Sequence, residues 1–97
     1  MSNAFQPKPA GTTSITGTTT SASASVDGSA ATIRLYNASA VDVFVRWGKG
    51  TQTAVVTDMP IAPGSTECFT KGDADTIAAI TASGSSNTLY ITVGSGE

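Results

Sequence analysis

The sequence predicts an all-β protein, a small antiparallel β-sandwich or barrel that carries an extended N-terminal arm. Apolar and polar residues alternate over short segments, and turn-forming residues separate those segments at intervals of roughly 8–12 residues. No segment shows a sustained helical stripe. The composition changes near Gly28, so we expect two parts: an arm at residues 1–28 and a β-sandwich domain at residues 29–97.

The expected arm is rich in Ser, Thr, Gly and Ala. Ten of the fifteen residues at 11–25 are Ser or Thr, and Ile15 is the only large apolar side chain among them. Such a segment buries too little apolar surface to offset its ordering entropy, so we expect it to need a partner. At its end, Ala22, Ala24 and Val26 alternate with serines, as in an edge strand of its own sheet or a neighbour's sheet. The alternative is an extended linker.

The domain contains three clearly alternating segments, each with one apolar face typical of a half-buried strand. The residues that share these faces are Ile33 and Leu35; Val41, Val43, Val45 and Trp47; and Leu89, Ile91 and Val93. Shorter predicted strands lie at 54–57, 66–70 and 76–82, and the last of these could instead form one helical turn. Turns are predicted at 37–40, 48–50, 60–64, 71–75 and 83–87.

The charge pattern excludes several classes of partner. Charged residues make up 12% of the chain, the net charge is −2, and the five basic residues form no run. We therefore expect no nucleic-acid binding, which depends on clustered Lys and Arg. No apolar run approaches the roughly 20 residues of a membrane helix, and the N-terminus lacks the apolar core of a signal peptide. Without secretion, the glycosylation sequon at Asn37 is expected to stay unused.

The residue types needed for catalysis are largely missing. The chain has no histidine, which removes the commonest general base and metal ligand. Cys68 is the single cysteine and lies between Glu67 and Phe69, so we interpret it as a small core or interface side chain. Asp73 and Asp75 fit a turn better than a cation site, because a calcium loop needs more oxygen ligands. We expect no enzyme activity, no cofactor, no bound metal and no small-molecule substrate.

Aromatic residues supply the candidate contact groups. Tyr36 and Phe44 fall on the faces opposite the aliphatic stripes of their strands. They predict a protein interface, with a second core layer or a glycan-binding site as alternatives. In the glycan alternative Trp47 or Tyr36 would lie in the site, although Trp47 shares a face with three valines and is better explained as core.

The chain also resembles a known group of proteins over nearly its whole length. The resemblance lies in the start MSNAFQP with its Thr/Ser-rich continuation, the body ATIRLYNASAVDVFVRWG, the turn MPIAPGSTECFT and the ending TLYITVGSGE. These resemble small virion proteins of tailed bacteriophages, of the capsid-decoration (cement) type. The resemblance implies a structural protein on the outside of the head, made in the host cytoplasm and located in the virion. It brings no catalytic or metal-binding residues.

On this basis we expect the major capsid protein and sister copies in a homo-oligomer as partners. The arm would dock on either of them through its large apolar residues Phe5, Ile15 and Val26. One alternative is a component of the neck, the tail or the base of a head fibre. Another, of a different class, is a receptor- or glycan-binding module.

Overall fold

The fold is described by a computed structural model, which defines residues 5–84 and 87–95. These residues form eight β-strands and no helix. The strands are β1 (Gln6–Gly17), β2 (Ala22–Ser25), β3 (Thr32–Asn37), β4 (Val43–Gly48), β5 (Met59–Ile61), β6 (Thr66–Thr70), β7 (Thr76–Thr81) and β8 (Asn87–Ser95). The predicted all-β class is therefore confirmed, and 76–81 is a strand rather than a helical turn.

The strands form two antiparallel sheets of four. Sheet A has the order β1-β8-β3-β6 and sheet B the order β2-β7-β4-β5. Strands pair as β1 with β8, β2 with β7, β3 with β6 and β4 with β5, as in one long hairpin rolled into two layers. This strand order is that of a jelly roll, a form of β-sandwich.

The core lies between the two sheets and follows the predicted alternation. Every second residue of the longer strands points inward and is almost fully buried. The core comprises Ile15, Ile33, Leu35, Val43, Val45, Ile61, Ile77, Ala79, Leu89, Ile91 and Val93. Trp47 and Phe69 close one margin, with ring centroids 5.3 Å apart.

The segment expected as an N-terminal arm lies, over its described part, within the sandwich. β1 pairs with β8 through Thr12–Gly17 and, beyond a bulge, through Gln6 and Pro7. Ile15 is 3% exposed and lies in the core. The structure thus differs from a division at residue 28, because two edge strands come from the Ser/Thr-rich segment. The Ser/Thr-rich segment is therefore ordered by its own domain, through backbone hydrogen bonds to β8 and β7 and contact with their apolar residues.

The bulge in β1 redirects the start of the chain. Ala10 has a positive φ of 56°, and a side chain on Gly11 would lie 2.8 Å from the carbonyl oxygen of Lys8. The turn at these two residues brings the Lys8 ammonium within 2.7 Å of Asp27. The ion pair therefore links the first part of β1 to the turn after β2.

The fifth strand, β5, does not coincide with the strand predicted at residues 54–57. Residues 54–57, predicted as a strand, form part of the loop between β4 and β5, and β5 contains Pro60 from a predicted turn. Asp58 explains the loop, since it accepts hydrogen bonds from the N–H of Val55 and from Arg46. Pro60 is tolerated because β5 is an edge strand. The turn predicted at 83–87 lies partly outside the described residues.

Candidate docking face

The outer side of sheet A presents a broad polar face. Its side chains alternate with the buried residues of β1, β3, β6 and β8, and cross-strand pairing brings them into rows. We call this surface the sheet A face and define it by Thr12, Ser14, Arg34, Tyr36, Thr66, Cys68, Tyr90 and Thr92. The hydroxyls of Thr12 and Thr92 are hydrogen-bonded at 2.8 Å.

Two tyrosines stand at the centre of this face. Tyr36 and Tyr90 are directly opposite on neighbouring strands, with ring centroids 6.0 Å apart and planes inclined by 12°. Both remain more than two-fifths exposed, at 41% and 42%. Together with Arg34, Thr66 and Thr92 they line a shallow groove of about 310 Å³. The pair presents a rigid apolar surface with a hydroxyl on each ring, as found in the centres of protein interfaces.

The charge of the sheet A face comes from one side chain. Arg34 forms no ion pair within residues 5–84 and 87–95, so its guanidinium donors are available to a partner. Cys68 lies directly opposite Arg34 and is exposed, so of its two predicted roles, core or interface side chain, the structure excludes the core. It stands on β6, which is an edge strand of the sheet and pairs among the described strands only with β3.

The opposite side of the sandwich is partly covered by the chain itself. Residues 49–58 fold over sheet B, where the N–H of Ala54 donates to the hydroxyl of Ser21 at 2.8 Å. Arg46 holds the end of this loop through two hydrogen bonds to Asp58. The loop leaves Val55 and Val56 exposed, and Phe44 lies half-buried opposite Pro60 of β5. This surface carries exposed apolar side chains, and part of it is formed by the 49–58 loop rather than by paired strands.

The five interface residues predicted from the sequence lie in different places. Ile15 is buried in the core, Val26 is packed against it, and Phe5 is half-buried near Gly94 of β8. Tyr36 lies on the sheet A face and Phe44 on the outer side of sheet B. The structure therefore does not bring these residues together, and in this fold Ile15 presents almost no surface to a partner.

Tyr90, Arg34 and the exposed valines were missed as contact residues. Tyr90 alternates with Leu89 and Ile91, and this alternation predicts that its side chain points outward. The alternation does not predict which residue of the neighbouring strand lies beside it. Its stacking with Tyr36 depends on the register between two strands far apart in the chain. Val55 and Val56 were assigned to a strand, although a Val-Val pair beside a turn residue such as Asp58 also fits an exposed loop.

The turn at 71–75 is organised by a lysine. Lys71 is 6% exposed, and its ammonium donates to the carbonyl oxygen of Ala74 at 2.7 Å. Burial lowers the pKa of Lys71. Asp75 accepts hydrogen bonds from the N–H of Gly50 and the hydroxyl of Thr76. Asp73 lies in the turn that follows β6. Within the described residues no group of His, Cys, Asp and Glu is arranged to hold a metal ion.

Three carboxylates make the fold sensitive to acid. The Lys8 ammonium, with the hydroxyl and N–H of Ser29, holds the pKa of Asp27 well below its ordinary value. Arg46 and the N–H of Val55 lower the pKa of Asp58, and the N–H of Gly50 and hydroxyl of Thr76 lower that of Asp75. In each case the unfolded chain binds protons first as the pH falls, so protonation favours unfolding.

We therefore predict that the melting temperature is steady between neutral pH and about pH 5 and falls between about pH 5 and pH 2. Calorimetry over this range measures the effect. Asp58→Asn should flatten the acid slope, whereas Asp42→Asn is the matched control, because Asp42 forms no ion pair within the described residues. A melting temperature that is constant from neutral pH to about pH 3 would contradict this assignment.

Comparisons with known proteins bear on the fold. No family model and no curated protein matches the sequence, and no described helix is long and apolar enough to cross a membrane. Among solved structures, the chain is similar to one from Bacillus endospore appendages, described as a novel family of disulfide-linked pili. The TM-score is 0.53 at 18% identity, covering 86% of this chain and 82% of the other. At this identity the likeness shows a shared fold.

Proposed function

We propose that this chain is a structural protein of a tailed-bacteriophage virion that decorates the outside of the head. The sheet A face is the docking surface for the major capsid protein, and sister copies are its neighbours. The observation that carries this proposal is the stacked Tyr36–Tyr90 pair, exposed at the centre of a face with one charge. Few charges must be dehydrated when such a face meets a protein.

The proposed mechanism is stabilisation by binding. A protein that binds only the assembled shell lowers the free energy of that shell and opposes its opening. Each contact can be weak, because many copies and several contacts per copy act together. The chain needs no catalytic group or cofactor for this role, and the proposed location is the virion surface.

The pilus subunit with the same fold suggests a different mode of assembly, which the cysteine content argues against. The Bacillus appendages are described as disulfide-linked pili. A chain with one cysteine forms at most one disulfide, which joins two copies and cannot continue along a fibre. We therefore do not extend disulfide-linked polymerisation to this chain.

Co-sedimentation with capsids that lack the protein tests the proposal. The wild-type protein should pellet with the capsids at high copy number, and the double variant Tyr36→Ser/Tyr90→Ser should stay in the supernatant. The matched control is Val55→Ser/Val56→Ser, which alters exposed apolar residues on the other side of the sandwich and should still pellet. Failure of the wild type to pellet would overturn head decoration, and equal pelleting of the tyrosine variant would overturn the face.

The alternatives predict different results in the same particles. A component of the neck, the tail or a head-fibre base would be present in far fewer copies than a head decoration, which native mass measurement distinguishes. A receptor- or glycan-binding module is favoured by one observation, the Tyr36–Tyr90 groove that Arg34 also lines. That function requires glycan-array binding that is lost in Tyr36→Ser, and its absence would exclude it.

A further inference from the structure

The free edge of β6 differs from the other sheet edges. β1 contains Pro7, Pro9 and the bulge, and β5 contains Pro60, all features that discourage pairing with another chain. β2 is four residues long, and the preceding Ser21 is engaged by the 49–58 loop. β6 has five residues without proline, glycine or a basic side chain, and among the described strands it pairs only with β3.

The hydrogen-bond pattern identifies the backbone groups that point away from the sheet. The N–H of Asn37 donates to the carbonyl of Ser65, and the N–H of Lys71 donates to that of Ala31. These bonds flank the β3–β6 ladder and set its alternation. Glu67 and Phe69 therefore bond to β3, whereas the N–H and C=O groups of Thr66, Cys68 and Thr70 point outward.

We propose that two copies of this chain pair through β6, antiparallel and centred on Cys68, so that their A sheets join across a two-fold axis. Thr66 then lies opposite Thr70 of the second copy, Glu67 opposite Phe69, and Cys68 opposite Cys68. The pairs at Thr66, Cys68 and Thr70 each form two backbone hydrogen bonds, which is the hydrogen-bonded pair of an antiparallel ladder. The contact is isologous, as a two-fold interface requires.

The strand itself favours a second copy in this register. Its sequence TECFT places threonine opposite threonine at both ends, a favourable cross-strand pair. Centring the pairing on Glu67 instead would put two carboxylates directly opposite each other, which is destabilising. Centring it on Phe69 would leave Thr66 and Glu67 unpaired. The register through Cys68 is therefore the one that uses all five residues without opposing like charges.

This pairing deepens the proposed function by specifying the contact between sister copies. It places two sheet A faces side by side, with a Tyr36–Tyr90 pair on each, so that two docking faces bind as one unit. The experiments below use the isolated protein and no capsid. A failure of β6 pairing and a failure of head binding are therefore separate results.

Sedimentation equilibrium from micromolar to millimolar protein measures the pairing. The wild type should show a concentration-dependent dimer. Thr66→Pro removes an outward N–H at the first position of an edge strand, where proline is tolerated. It should weaken the dimer about ten- to a hundredfold, since both copies lose a donor, with the melting temperature of dilute protein unchanged. A monomer throughout the range, or equal dimerisation of both proteins, would overturn the proposal.

Cys68 reports the register. A hydrogen-bonded pair places its Cα atoms about 5.5 Å apart, within the range of about 4.4–6.8 Å that a disulfide requires. Diamide, which accepts two electrons and two protons from the thiols, should link the copies rapidly through Cys68. The control is Cys68→Ser/Ser14→Cys, with a thiol on β1 at the other edge of the same face. Equal linking rates for the two proteins would indicate random collision and overturn the register.

Discussion

A chain that begins at Gly28 is expected to lose cooperative folding and to aggregate. The truncation removes β1 and β2, one edge strand from each sheet, and takes Ile15 out of the core. It exposes the inner residues Leu89 and Ile91 of β8 along with unpaired backbone groups of β8 and β7. A domain of this size has a net stability of only about 5–15 kcal/mol, and the loss of two strands and their buried surface exceeds it.

Circular dichroism and thermal melting measure this loss, and two further experiments identify its cause. A chain that starts at Gln6 keeps both strands and should melt cooperatively. A peptide of residues 6–27, added to the chain that starts at Gly28, should restore a folded complex by supplying the missing strands. If the Gly28 chain melts as the full-length protein does, residues 1–28 form a separate arm, and their place in the sandwich is not needed for folding.

Asn37→Ala is expected to be the most damaging point substitution. The side chain of Asn37 is completely buried, and its Nδ2 donates at 2.8 Å to the carbonyl oxygens of both Val41 and Ile61. Its Oδ1 accepts from the N–H and hydroxyl of Ser39. One amide thus joins the end of β3 in sheet A to β5 in sheet B. The same burial explains why the sequon at Asn37 cannot be glycosylated in the folded protein.

Removing this amide takes one donor from the carbonyl oxygens of Val41 and Ile61 and opens a small cavity, although the Val41 oxygen still accepts from the hydroxyl of Ser39 at 3.0 Å. The expected cost is about 2–4 kcal/mol, which lowers the melting temperature by about 10–20 °C in a domain of this size. Asn37→Asp keeps the volume but replaces the N–H donors by a carboxyl oxygen, so its cost reports the lost donors and the burial of a carboxyl group without a cavity. Ser39→Ala is the milder control, at about 1 kcal/mol. A melting temperature for Asn37→Ala within a few degrees of wild type would contradict this role.

The alternating strands were predictable because their signal is local. In β3, β4 and β8 a large aliphatic residue occupies every second position, and this pattern alone separates the inner from the outer face. β6 was predicted at the residues it occupies, and β7 differs by one residue at its end. The all-β class follows from these segments and from the turns between them.

The sequence predicts an arm where β1 and β2 lie, because the inner and outer residues of these strands have nearly the same polarity. In β1 the core side carries Thr13, Ile15 and Gly17, and the outer side carries Ser14 and Thr16. A chain of Ser and Thr shows no hydrophobic period, so only its pairing with β8 reveals it as a strand. β5 was missed for a related reason, since three residues with a proline carry too little pattern.

Some features of the candidate site also follow from the sequence, and others require the tertiary structure. The sequence was sufficient to place Tyr36 on an outer face, to show that catalytic residue types are scarce, and to limit disulfide bonding to one bridge. The stacking of Tyr36 with Tyr90, the position of Arg34 beside that pair and the exposure of Cys68 depend on which strands are neighbours.

By itself, then, the sequence determined the all-β class, the faces of the regular strands and the absence of histidine chemistry. Each of these depends on residue type and on spacing along a few consecutive positions. Only the tertiary structure decided that residues 6–25 complete the jelly roll, that the two tyrosines stack, and that β6 is an edge strand of its sheet. These features arise from strand register and sheet order, which are set by packing and hydrogen bonding between residues distant in the chain.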